Sequence, residues 1–174
     1  MNKRNIVLVG FMGTGKTTVG RLLSKQTGMP LVDMDSKIEE RAGKAITKIF
    51  AEDGETYFRS LERAIVRELS SMDGQIVSTG GGIVLDPDNI PDYEKSGLVV
   101  CLLASAETIL ERVRHDDTRP LLAGDKQGKI LQILETRRPL YEAIEHKINT
   151  DGLESETIAA QIAALYETNL EIDT

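Results

Sequence analysis

Apolar residues along the chain gather in short runs, separated by longer stretches whose hydrophobic positions recur with a 3.6-residue period. The runs fall at 5–9, 31–32, 75–79, 98–103 and 146–150, each bounded by Gly, Asp or other polar residues, and each reads as a strand. Helical spacing fits 16–27, 36–42, 46–52, 55–71, 106–114, 130–144 and 155–166, with Gly28, Gly43 and Gly74 as stops. This alternation predicts one α/β domain over 1–174: a five-stranded parallel sheet flanked by helices on both faces. The stretch 115–128 is long, largely polar and without a pattern, which predicts a mobile lid.

Composition changes this picture little. A chain of 174 residues with 40% hydrophobic and 28% charged residues has the make-up of a single globular domain and carries no low-complexity tail. Its formal charge of -7 would repel a polyphosphate backbone, and no basic stripe interleaves with aromatics, so no nucleic-acid partner is expected. The lone cysteine, Cys101, sits inside the apolar run 98–103, so no intrachain disulfide can form and a reducing compartment fits. Met1 to Arg4 ahead of Ile6 to Val9 superficially imitates a signal peptide, but the apolar stretch is short and runs straight into a glycine loop. No apolar run is long enough to span a membrane. A cytoplasmic protein with no membrane partner is the expectation.

The strongest chemical signal is Gly10-Phe11-Met12-Gly13-Thr14-Gly15-Lys16-Thr17: a glycine, four residues, then Gly-Lys-Thr, directly after a strand pattern and before a helical one. Glycines let backbone N–H groups close around phosphate oxygens, Lys16 reaches the β and γ phosphates, and the Thr17 hydroxyl can ligate magnesium. Gly13, Thr14, Gly15, Lys16, Thr17 and Thr18 are thus the expected ATP-binding stretch. The plainer alternative, a glycine-rich turn capped by a threonine, does not require all eight positions.

Further along stand Asp33-Met34-Asp35, Phe58-Arg59 with Glu62, Gly80-Gly81-Gly82, Arg119-Pro120-Leu121-Leu122 and Arg137-Arg138-Pro139-Leu140-Tyr141. In this order and spacing, and over nearly the whole chain, the sequence resembles the shikimate kinase family. The resemblance implies a P-loop kinase fold of the nucleoside-monophosphate-kinase type. It implies transfer of the ATP γ-phosphate to the 3-hydroxyl of shikimate, with Mg2+, in the chorismate branch of aromatic amino-acid biosynthesis, and a monomer. It also makes 34–62 a substrate-binding helical region and 115–128 the lid.

The residues weigh differently when read without the resemblance. Asp33 and Asp35 follow the second strand, at the sheet edge where α/β proteins bind ligands. Ser36 and Glu39 also have capping-box spacing, so Asp35 could merely enrich a helix start in negative charge, but the place of the pair one strand from the phosphate loop favours a role in the site. By similarity Asp33 belongs to the magnesium shell, and Asp35 holds substrate hydroxyls and accepts a proton. Arg59 has Glu55, Thr56, Glu62 and Arg63 as helical neighbours and would pass for a solvated face; the resemblance alone makes it a clamp on the shikimate carboxylate, held by Glu62.

Gly80, Gly81 and Gly82 cost backbone entropy that close approach of a ligand would explain, whereas a turn needing positive φ requires fewer glycines. Arg137 has Ile133, Leu134, Leu140 and Tyr141 at helical spacing and points to the apolar side, where an anion would balance it. Arg138 has Glu135 and Glu142 at those distances, a surface ion-pair arrangement, although Pro139 weakens the helical argument locally. By resemblance Arg119 swings over the phosphates and Arg112 stacks on adenine, while Ile46, Phe50, Phe58 and Pro120 line the substrate pocket. His115 and His146 lack metal-ligand spacing. Another small-molecule kinase, acting on gluconate or a nucleotide, and a kinase-derived binding protein are the competing readings. The nucleotide acceptor lacks a base pocket, and no catalytic motif position is missing.

Overall fold

The computed structural model describes residues 4–114 and 125–172. Five strands, β1 (Asn5–Gly10), β2 (Leu31–Asp33), β3 (Ile76–Ser78), β4 (Gly97–Leu103) and β5 (His146–Asn149), form one parallel sheet in the order β2-β3-β1-β4-β5. β1 lies at the centre and is buried at every position, as a parallel strand covered on both faces must be. Its side chains alternate between two cores. Val7 and Val9 join the core under α2 (Met34–Ala42), α3 (Ile46–Glu52), α4 (Gly54–Ser70), α5 (Asn89–Ser96), α6 (Ala106–Val113) and α7 (Lys126–Glu142). Ile6 and Leu8 face the other core, under α1 (Lys16–Thr27) and α8 (Ser155–Ile172).

The five-strand parallel count and the two-sided helix cover match the sequence pattern. The differences are local and have physical causes. α2 starts at Met34 rather than at residue 36, because its N-cap is Asp33, whose carboxylate accepts from the Ser36 N–H at 3.1 Å. The capping box read at Ser36 and Glu39 does not form; the Glu39 carboxylate accepts instead from the Ile46 N–H at 2.9 Å, tying α2 to α3. α7 starts at Lys126, capped by Asp125 through the Gly128 N–H at 3.1 Å, so 126–128 of the expected lid belong to a helix. A 3-10 turn (Ile83–Leu85) and α5 add to the elements that the periodicity predicts. α5 contains Pro91, which breaks the periodic pattern but sits in the first turn, where no intrahelical N–H is needed. Among the described residues no helix is long and apolar enough to cross a membrane.

The order of strands decides which loops meet. β1 and β3 are neighbours and β2 lies beyond β3, so the ends of three adjacent strands bring the segments 10–17, 33–35 and 78–82 to one edge of the sheet.

Candidate active site

The turn from β1 into α1 is built by glycine. Gly10 has φ +144°, and a Cβ there would lie 2.3 Å from the Leu102 carbonyl oxygen of β4, so no other residue fits. The Thr14 hydroxyl donates to the Phe11 carbonyl at 2.8 Å and pins the loop from within. Lys16 is nearly buried, and its ammonium donates to the Gly10 and Phe11 carbonyls at 2.7 and 2.9 Å. A cleft of about 200 Å³ opens beside it, lined by Met12, Gly13, Gly15 to Thr18, Asp33, Asp35 and Ser78 to Gly81.

Within that cleft oxygen atoms converge. The Thr17 hydroxyl donates to Asp33 Oδ2 at 3.2 Å and lies 3.2 Å from the Ser78 hydroxyl. Asp33 thus caps α2 with one carboxylate oxygen and meets Thr17 with the other, so helix capping does not take it out of the cleft. Asp35, exposed in the first turn of α2, presents its carboxylate toward Gly80. A donor set of two hydroxyls and one carboxylate, all oxygen, fits Mg2+, which takes few protein ligands and completes its shell with water and phosphate. Among the described residues no cluster of three or more His, Cys, Asp or Glu could hold a metal.

A second group of residues lies along the strip Gly80-Gly81-Gly82. A Cβ at Gly80 would sit 3.3 Å from both Asp35 Oδ1 and Glu62 Oε2. One at Gly81 would sit 3.2 Å from the Met12 N and 3.8 Å from an Arg137 terminal nitrogen, and one at Gly82 only 2.4 Å from both terminal nitrogens of Arg59. None of the three has positive φ. Their role is therefore space: Gly82 admits the Arg59 guanidinium, Gly80 the Asp35 and Glu62 carboxylates, and Gly81 the Met12 backbone, with Arg137 in ordinary contact beside it.

Arg59 donates to Glu62 at 2.9 Å and to Glu55 at 3.2 Å, and its Cζ lies 5.1 Å from the Phe58 ring centroid. Glu62 is 2% exposed, so the solvated face read around Arg59 does not extend to it. Burial pushes its carboxyl above the usual range, further than the adjacent Arg59 can pull it down. Arg59 Nε and Glu62 Oε2 are both buried without a hydrogen-bond partner. Arg137 is buried, as its apolar neighbours require, and Arg138 is exposed. No ion pair of Arg138 with Glu135 or Glu142 occurs among the described residues. Facing carboxylates at helical spacing do not suffice, because exposed pairs gain little over water.

On the far side of the phosphate loop, Arg112 donates to the Gly13 carbonyl at 3.0 Å and reaches the Thr150 hydroxyl at 3.5 Å. Asp151 accepts from the Ser105 N–H at 3.0 Å, and that bond holds its carboxyl below the usual carboxylate range. Arg119 and Pro120, with 115–124 of the expected lid, lie outside the described residues.

Three contributors escape the sequence pattern. Ser78 ends an apolar strand at the ligand edge of the sheet, a signal that the sequence does carry. Arg63 looks like a surface charge, yet it donates to Asn89 at 3.1 Å and to Asp92 at 2.7 Å. Asn89 in turn donates to the Ile83 carbonyl at 2.9 Å, just beyond the glycine strip. The partners of Arg63 are on α5, which the pattern does not reveal.

The shikimate kinase family model matches residues 12–167. The shikimate kinase of Caldicellulosiruptor bescii is 42% identical over 164 residues, 94% of this chain and 95% of that protein. That of Thermodesulfovibrio yellowstonii is 41% identical over 165 residues, again 94% and 95%. Among solved structures, the shikimate kinase from Acinetobacter baumannii in complex with shikimate has a TM-score of 0.91 at 36% identity, covering 96% of this chain and 94% of that one. A gluconokinase from Sinorhizobium meliloti 1021 reaches a TM-score of 0.60 at 21% identity, a likeness of fold alone.

Proposed function

The chain belongs to the shikimate kinase family, and we propose that it phosphorylates the 3-hydroxyl of shikimate with ATP, giving shikimate 3-phosphate and ADP within aromatic amino-acid biosynthesis. One observation carries this reading: two arginines, Arg59 and Arg137, converge on a side-chain-free strip of backbone directly beside a phosphate loop. Such a pair suits a small carboxylic acid held next to a nucleotide.

The division of labour follows from position. Gly13 to Thr18 cradle the nucleotide phosphates, and Lys16 faces the charge that builds on the transferring group. Arg112, bound to the Gly13 carbonyl, flanks the adenine side. Thr17 and Asp33 are the residues that would hold Mg2+, which neutralises phosphate charge when bound. Arg59, Arg137 and the Gly80 to Gly82 backbone hold the shikimate carboxylate and ring. Asp35 orients the substrate hydroxyls and takes the proton from the attacking one as the bond from its oxygen to phosphorus forms and the bond to the ADP oxygen breaks. Arg119 closes over the phosphates from the lid. Catalysis then rests on positioning and charge neutralisation rather than on a covalent intermediate. A cytoplasmic monomer, with neither nucleic acid nor membrane as partner, fits the acidic charge and the lone buried thiol.

A coupled ADP-release assay with shikimate, quinate, gluconate and AMP tests the assignment. Turnover is expected with shikimate and far less with the others. Release with gluconate or AMP and none with shikimate would overturn it.

A further inference from the structure

The glycine strip poses a problem of its own. Backbone without positive φ and without side chains has many conformations open to it, yet here it must stay within contact distance of the Arg59 and Arg137 guanidiniums. Thr79, through its N–H and hydroxyl to the Leu8 carbonyl at 3.1 and 2.9 Å, anchors the end nearer the sheet. Asn89 anchors the far end through Ile83. The middle is gripped by Tyr141, whose hydroxyl donates to the Gly81 carbonyl at 2.5 Å.

Tyr141 reaches the strip from α7, one helical turn beyond Arg137, and is 2% exposed, so its ring is fixed by packing. The Arg137 guanidinium stands against the same point of the strip, 3.8 Å from where a Gly81 Cβ would be, and its charge acts on the same phenol. The Tyr141 O–H is committed to the Gly81 carbonyl, so the backbone that faces Arg137 is held from the helix that carries Arg137. Burial raises the Tyr141 phenol to about 12, so the hydroxyl remains a donor at any working pH.

We infer that Tyr141 is a positioning residue for substrate specificity: from the helix that carries Arg137, its hydroxyl holds the Gly81 backbone at a fixed distance from that guanidinium, matched to a carboxylate and the ring that bears it. The inference rests on the assignment of Arg137 and the strip to the acid substrate. Tyr141 itself touches neither reactant; it holds the backbone that does.

Tyr141→Phe keeps the buried ring and deletes only the hydroxyl. Its shikimate KM should rise about three- to tenfold, the size of one lost hydrogen bond, with the ATP KM unchanged. Tyr93→Phe is the control for plain packing. Tyr93 is equally buried and loses only a bond to the Met34 sulfur at 3.1 Å, so it should match any fall in Tm without moving the shikimate KM. In the double variant with Arg137→Ala, the KM effects should fall short of the product of the single ones, since both variants disturb one arrangement of guanidinium and backbone. An unchanged shikimate KM in Tyr141→Phe, while Arg137→Ala raises it, would overturn the inference and leave the site assignment standing. If Arg137→Ala also left it unchanged, the assignment itself would fall. Equal KM rises in Tyr141→Phe and Tyr93→Phe would reduce Tyr141 to a core residue.

Discussion

The two halves of the cleft are built on opposite principles. The proposed phosphate side is one continuous segment, 10–18, held largely by bonds among its own residues, as those of Thr14 and Lys16 to the Gly10 and Phe11 carbonyls show. The proposed acid side draws Arg59 from α4, the glycine strip from the end of β3, and Arg137 with Tyr141 from α7, three separate parts of the chain. A segment of the first kind works wherever a strand runs into a helix. The second exists only when the whole sheet is folded, and its precision depends on side chains that pack rather than react.

The contrast can be broken most severely at Lys16. Lys16→Ala should lower turnover by at least about a hundredfold with both substrates still bound, as loss of a preorganised charge at a transferring group does. Steady-state ADP release beside a thermal melt checks this. Near-normal turnover in the folded variant would remove the phosphate loop from the chemistry.

Gly82→Ala comes next and acts on the other half alone. Its Cβ would meet the Arg59 guanidinium at 2.4 Å, and the guanidinium, as the end of a flexible side chain, should yield while the fold survives. The shikimate KM should rise about tenfold or more with the ATP KM intact. Parallel losses for both substrates would show that the halves are not separate.

How far the sequence reveals each half divides along the same line. The phosphate loop is legible because its residue types, spacing and flanks lie within eight positions. The strands are legible because a buried parallel strand is apolar at every position. Arg59 is not, since its helical neighbours Glu55, Thr56, Glu62 and Arg63 read as a solvated face, whereas Glu62 is buried in a helix against which α2, α3 and α5 pack. Arg137 can be read from its apolar neighbours; what it faces cannot. For this half the family resemblance supplies what periodicity lacks.

Glu62 offers a subtler test. Because burial raises its folded-state pKa above the ordinary 4.5, the folded chain holds this proton more tightly than the unfolded one. Stability from this group is fully present below about 4.5 and is lost as pH rises through the raised value. Glu62→Gln removes that loss, so urea denaturation at pH 5 and pH 8 should shift the comparison toward the variant at the higher pH. The same change frees Arg59 and should raise the shikimate KM by a fewfold. A stability difference between parent and variant that is constant with pH would contradict the burial argument.

The smallest effect is expected at Arg138. Exposed and without an ion pair among the described residues, it should tolerate Ala with shikimate KM and Tm nearly unchanged, while Arg137→Ala next to it raises the KM about ten- to a hundredfold. The reverse pattern would mean that α7 presents its other face to the substrate.

The pairing of β2 with β3 has a consequence for insertions and deletions. Asp33 stands opposite Ser78 in the ladder, and Val32 opposite Val77. Since side chains alternate along a strand, gaining or losing one residue between Gly28 and Leu31 and slipping the ladder by one would carry Asp33 to the opposite face, away from Thr17. The length of that short connection is therefore as much a specification of the proposed magnesium side as the carboxylate it delivers.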